Sequence, residues 1–78
     1  MGKWDLEVTD TFGGQANYCW VDRCTIHAKS DRTVIRELKR MMGITGEHAD
    51  VSDFGETYEV RPTGRNAPCI VGFATWRE

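Results

Sequence analysis

Ser30-Asp31-Arg32-Thr33-Val34-Ile35-Arg36-Glu37-Leu38-Lys39-Arg40-Met41-Met42-Gly43 is the stretch whose reading decides the fold. Val34, Ile35, Leu38, Met41 and Met42 recur at helical spacing and make one apolar stripe. Ser30 or Asp31 is placed to cap the first turn by accepting a free backbone N–H. Lys39 and Arg40 fall in the last turn, where the carbonyl end of a helix favours positive charge. Gly43 supplies the left-handed conformation that ends a helix. The chain holds no other strong helix signal. A lone helix with one apolar face needs a sheet to cover.

The flanking sequence supplies that sheet. Trp4, Leu6 and Val8 alternate with Asp5, Glu7 and Thr9, the period of a strand with one buried face. Gly13-Gly14 marks a turn. Asn17 to Ala28 is rich in aromatic and β-branched residues and reads as a long second strand. Its even positions, Tyr18, Trp20, Cys24, Ile26 and Ala28, form the expected core face, with a bulge or a departure from the helix at Asp22. After the helix, Gly43-Ile44-Thr45-Gly46 is a tight exit. His48–Ser52 reads as a short strand, Asp53-Phe54-Gly55 as a turn, and Glu56–Arg61 as a strand. Pro62–Pro68 is a loop. Cys69–Trp76 is apolar on both faces, as suits a central strand or one with a second layer. The expected architecture is α+β: a mainly antiparallel sheet of four or five strands with one helix packed on it, in the order β-β-α-β-β-β.

At 78 residues the chain makes a single domain, 1–78, and a chain of that size buries only about 60% of its unfolded surface. The formal net charge of −2 argues against a general nucleic-acid coat protein, which draws its affinity from a large basic excess. No apolar run is long enough to span a membrane, and no signal peptide is visible, so a soluble cytoplasmic protein with reduced cysteines is expected.

Catalytic and metal chemistry find little support. Cys19, Cys24, Cys69, His27 and His48 are metal-ligand types, yet there is no Cys-x-x-Cys pair, and Cys24 and His27 leave opposite faces of a regular strand. Cys24 and Cys69 read as small core residues. Gly13-Gly14 lacks the strand, lysine and helix of a phosphate loop. No nucleophile–base–orienter set stands out. The expectation is therefore a non-enzyme with no cofactor and no metal.

Binding surfaces are better represented. Arg32, Arg36, Lys39 and Arg40 lie away from the apolar stripe and form the best basic patch, suited to phosphates or an acidic protein surface. Charged outer faces are also the ordinary state of surface helices. Acids gather after the helix, at Asp50, Asp53 and Glu56 among others, and such an edge can mimic phosphates toward a basic groove; equally, it serves solubility. Should the helix cover one sheet face only, some of Cys19, Val21, Val71 and Phe73 remain on the other. With Arg23 and Arg61 interleaved, that face suits a partner, a second copy or stacked bases.

The run Gly13-Gly14-Gln15-Ala16-Asn17-Tyr18-Cys19-Trp20-Val21 resembles a pattern in small accessory proteins of tailed phages and prophages. The similarity extends through the arginine-rich helix and the Gly-Ile-Thr-Gly exit to Trp76. The pattern carries no catalytic residue to transfer. It implies a setting in which short non-enzymatic proteins often inhibit host machinery, anti-CRISPR proteins among them. The basic helix departs from a purely acidic nucleic-acid mimic.

The sequence thus points to a small inhibitor that binds and blocks a host protein or ribonucleoprotein complex handling nucleic acid. Its contact residues are expected among Arg32, Arg36, Lys39, Arg40, Asp50, Asp53 and Glu56. One alternative is direct nucleic-acid binding through the basic helix or sheet face. The other is a homodimeric structural or assembly protein.

Overall fold

The structure is a computed structural model and describes residues 2–64 and 67–78. It contains β1 (Gly2–Phe12), β2 (Gln15–Ala28), α1 (Asp31–Met42), β3 (Ala49–Asp53), β4 (Thr57–Pro62) and β5 (Ile70–Trp76). This is the expected β-β-α-β-β-β order, with α1 packed on one five-stranded antiparallel sheet. The strand order is β2-β1-β5-β4-β3. Arg65 and Asn66 of the expected Pro62–Pro68 loop lie outside the described residues.

The helix forms where its punctuation requires. Ser30 is extended (φ −146°, ψ 156°) and its Oγ accepts the Thr33 N–H at 3.3 Å, satisfying one of the first free donors. At the other end Gly43 takes φ 76°. Its N–H donates to Arg40 O and the Ile44 N–H to Lys39 O, both at 3.0 Å. That pair of bonds is a Schellman closure, and the next residue, Ile44, is buried, completing the apolar contact typical of the motif.

Val34 and Leu38 are fully buried and Met42 nearly so. Burying each of these side chains contributes about 1.5–3 kcal/mol. Their opposing surface comes from Trp4, Leu6 and Val8 of β1, Ala74 of β5 and Val60 of β4. Gly72 lies directly beneath the helix: a Cβ there would stand 2.5 Å from Met42 Sδ and 3.0 Å from Leu38 Cδ1. Beside this core, the Trp4 and Tyr58 rings stack with centroids 5.8 Å apart.

The second strand departs from a regular alternation. β1 and β2 pair in register from Gly2↔Ala28 to Thr9↔Val21, and then the register shifts before Thr11↔Ala16. Asn17, Tyr18, Cys19 and Trp20 stand opposite the single residue Asp10 in a large bulge, upstream of the Asp22 position expected for one. Tyr18 and Trp20 therefore do not continue the core face, and both are exposed. Ile26 and Ala28 do pack on the helix side. Cys24 and Cys69 are exposed, not core, because β2 is an edge strand and Cys69 precedes β5.

The face away from the helix is mostly polar. Val71, paired with Thr9, is fully buried there, as is Thr9 itself, and Thr9 contacts the bulge through its hydroxyl. Val21 and Phe73 are half-buried and Cys19 is exposed. Around them run the threonines and charged residues of alternating positions.

Candidate partner-binding surfaces

The bulge is built by two side chains of β1. Thr9 Oγ1 donates to Trp20 O at 2.9 Å and accepts the Tyr18 N–H at 3.1 Å. Asp10 Oδ1 accepts the N–H of Cys19 at 2.8 Å and of Trp20 at 3.4 Å, while Oδ2 accepts Asn17 Nδ2 at 2.9 Å. These bonds, that from Asn17 foremost, hold the Asp10 carboxyl below the usual carboxylate range. The backbone N–H groups that a bulge removes from the ladder thus find new acceptors. Tyr18 sits at φ 57°, the one non-glycine residue with positive φ among the described residues. Such a conformation costs about 1–2 kcal/mol. Arg61 Nη1 donates to Gly14 O at 2.6 Å and ties the hairpin tip to β4. The product is a hydrogen-bonded excursion that exposes Tyr18 (54%) and Trp20 (45%), with Phe12 (80%) exposed at the hairpin end beyond it.

Tyr18 also borders a groove of about 480 Å³ on the open sheet face, together with Phe73, Arg23, Thr57 and Thr75. The charges there are matched. Arg23 Nε meets Glu7 Oε2 at 3.0 Å and Arg77 Nε meets Asp5 Oδ2 at 2.5 Å, and outside the groove Arg61 pairs with Glu59. The Arg77 contact, helped by the Thr25 hydroxyl at 3.0 Å, holds the Asp5 carboxyl below its ordinary range. The groove therefore offers an aromatic floor between ion pairs and carries no large charge of either sign.

The helix presents the basic residues in two groups. Arg32, Arg36 and Lys39 border one shallow depression with Ile35, Thr45 and Gly46. Lys39 Nζ donates to Glu47 O at 2.7 Å. Arg32 and Arg36 are exposed and form no ion pair among the described residues. Arg40 is instead engaged with Glu37, Nη2 to Oε1 at 3.4 Å. The spacing i, i+4, i+7 puts the first three on one side.

The acidic residues do not gather into one patch. Asp50 and Asp53 lie three apart in β3 and so leave opposite sides of the sheet. Asp53 Oδ1 caps the following turn by accepting the Gly55 N–H at 2.8 Å. Glu56 is exposed, and its backbone carbonyl accepts the Trp76 N–H at 2.8 Å.

No group of three or more His, Cys, Asp or Glu side chains among the described residues is placed to hold a metal ion. The Cys24 thiol lies 3.7 Å from Met41 Sδ, and burial, with Glu37 nearby, pushes its pKa up, away from the reactive thiolate. No helix is long and apolar enough to cross a membrane among the described residues.

Sequence reasoning marked the Arg32–Arg36–Lys39 row but not the excursion as a unit. Its signal was the pair Thr9-Asp10, two short hydrogen-bonding side chains at the end of an otherwise alternating strand. The architecture and its surfaces define a small α+β domain with a hydrogen-bonded aromatic hairpin tip and a basic helix. Compared with protein-family models, curated proteins and solved structures, the chain matches none.

Proposed function

We infer that this chain is a small non-enzymatic binding protein that occupies the surface of a macromolecular partner. The partner is a host nucleic-acid-handling complex in the bacterial cytoplasm, blocked in the manner of an anti-CRISPR protein. The observation that carries the binding role is the excursion. The chain spends local strain at Tyr18 and the side chains of Thr9 and Asp10 to hold the backbone of Tyr18 and Trp20 in place, with both side chains in solvent. Exposed Tyr and Trp are the residue types that dominate protein interfaces, and holding their backbone beforehand removes part of the ordering cost from binding. The inhibitory role and the class of target rest on the resemblance of the same stretch, Gly13 to Val21, to phage accessory proteins.

The test is target-DNA binding and cleavage by purified CRISPR effector complexes with and without the chain. Inhibition by wild type, lost in Tyr18→Ala with Trp20→Ala while circular dichroism is unchanged, is the expected result. Absence of binding and inhibition across the effector types would sink the target assignment.

A second reading follows from Arg32 and Arg36, which lack ion-pair partners among the described residues. Together with Lys39 they suit phosphates, and direct nucleic-acid binding is then the activity. Tight, salt-sensitive DNA binding abolished by Arg32→Glu with Arg36→Glu, and untouched by the aromatic variant, selects that reading.

A further inference from the structure

The groove on the open sheet face lies apart from the basic helix and shares only Tyr18 with the excursion. Its volume of about 480 Å³ falls in the range of small-molecule sites. Within it the charges of Arg23 and Arg77 are balanced by those of Glu7 and Asp5. A groove with no net charge suits an uncharged occupant and gives a phosphate or a polycation no field to follow.

The register sets Arg23, Glu7 and Phe73 in one row across β2, β1 and β5. Phe73 is half-buried and supplies an aromatic surface to that row. Arg23 engages Glu7 Oε2 through Nε alone, at 3.0 Å. Its two Nη groups and Glu7 Oε1 make no hydrogen bond among the described residues. Donors and an acceptor thus stand side by side at the edge of an aromatic surface. The neighbouring acid is occupied instead. Asp5 Oδ1 accepts the Thr25 hydroxyl at 3.0 Å, and Oδ2 accepts from Arg77 Nε at 2.5 Å.

These features narrow the occupant. Phe73 calls for a flat π-face. Arg23 and Glu7 call for acceptors and a donor along one edge of that same ring. A peptide edge or a sugar supplies the donor and the acceptor without the ring. A nucleobase with an amino group beside a ring nitrogen supplies all three, and cytosine adds a second acceptor on that edge for the second Nη group. We propose that the groove binds an unpaired nucleobase, cytosine above all, stacked on Phe73 beside Tyr18, with its amino group donating to Glu7 Oε1 and its ring nitrogen and carbonyl accepting from Arg23. The unit recognised is the base, carried by a free nucleoside or by a single strand. This site is independent of the partner that the excursion or the basic helix meets.

The test is titration of the isotope-labelled chain with cytidine, uridine and adenosine, followed through its amide chemical shifts. Cytidine should give saturable shifts around Arg23, Glu7 and Phe73. Its affinity should exceed that of uridine by about fivefold or more, because uridine sets a carbonyl against Glu7. Added salt should change the affinity little, since the ligand is uncharged, in contrast to phosphate contacts along the helix. Phe73→Leu should weaken cytidine binding by about fivefold or more, with the circular dichroism spectrum kept. Glu7→Gln should narrow the preference for cytidine over uridine, because its amide can turn an N–H toward the uridine carbonyl. That variant decides the matter should Phe73→Leu disturb the fold. Oligodeoxycytidine and oligothymidine separate the two sources. A cytidine strand that binds tighter than the nucleoside and prefers the groove makes the strand the ligand, and comparable affinities make it the free nucleoside. No shift with any nucleoside at about 10 mM, equal affinities for cytidine and uridine, shifts away from the groove, or the same shifts with ribose alone overturns the proposal.

Discussion

The Tyr58 hydroxyl donates to Asp31 Oδ2 at 2.5 Å, joining the fourth strand to the first turn of the helix. The contact raises the Tyr58 pKa to about 12, chiefly through that hydrogen bond. An unfolded tyrosine loses its proton near about 10. The folded state thus holds the proton more tightly, and its contribution to stability is complete below the unfolded value and lost as pH rises through the folded one. Urea midpoints should fall between about pH 10 and 12 in wild type, and Tyr58→Phe should remove this portion of the alkaline slope. An identical slope in the variant would mean that another group carries it.

Asp10 makes the opposite prediction. Its folded pKa is depressed, so its contribution is present above the unfolded value of about 3.9 and disappears as pH falls through the folded value. Acidification below about pH 4 should free the excursion before the core unfolds. The amide protons of Cys19 and Trp20 should then exchange faster, and Asp10→Ala should show the same fast exchange at neutral pH. Protected amides in Asp10→Ala would contradict the clamp.

Leu38→Ala removes a fully buried side chain from the centre of the helix–sheet contact. The expected loss is about 2–5 kcal/mol, a large share of the total stability of a small domain. Denaturant unfolding checks it; an unchanged midpoint would place the helix elsewhere.

Gly72→Ala tests the same contact from below. The added methyl collides with Met42 Sδ and crowds Leu38, and overpacking of this kind costs about 1–3 kcal/mol. Because Met42 is flexible, shortening it should recover part of the loss. Thermal unfolding of Gly72→Ala, of Met42→Ala and of the double variant should show it as a combined loss smaller than the sum of the two single losses.

Much of this fold is written locally. Ser30, the Val34–Leu38–Met42 stripe and Gly43 specify a helix with both ends marked, and Trp4, Leu6 and Val8 specify a strand by alternation alone. The strand order was not legible, because the central β1–β5 pairing joins residues at opposite ends of the sequence and nothing local encodes it. Tyr18 and Trp20 were misassigned to the core for a related reason: alternation presumes a regular strand, and the bulge that breaks it is held from β1. Cys24 and Cys69 share their chemistry with buried cysteines and differ only in standing at an edge and in a connection. Among the surface residues, the i, i+4, i+7 spacing of Arg32, Arg36 and Lys39 was readable in advance. The diversion of Arg40 to Glu37 emerges only with the side chains in place, and the opposed directions of Asp50 and Asp53 only once β3 extends to Asp53, which the sequence places in a turn.

The register that sets Trp4 beside Trp76 also governs when the domain can fold. During synthesis β1 and β2 leave the ribosome before the helix and the later strands, and they can pair by themselves since their hairpin is local. β1 must then wait for β5 before its second ladder forms, and the helix has no finished surface to cover until it does. Loop closure over nearly the entire chain precedes the contacts that reward it, which slows the search relative to a fold of neighbouring hairpins. Until Trp76 has been made, Trp4, Leu6 and Val8 are exposed apolar residues of a nascent chain. Arrested chains that stop short of β5 should therefore engage chaperones and resist compaction, and release of the last strand should bring the whole domain together in one step.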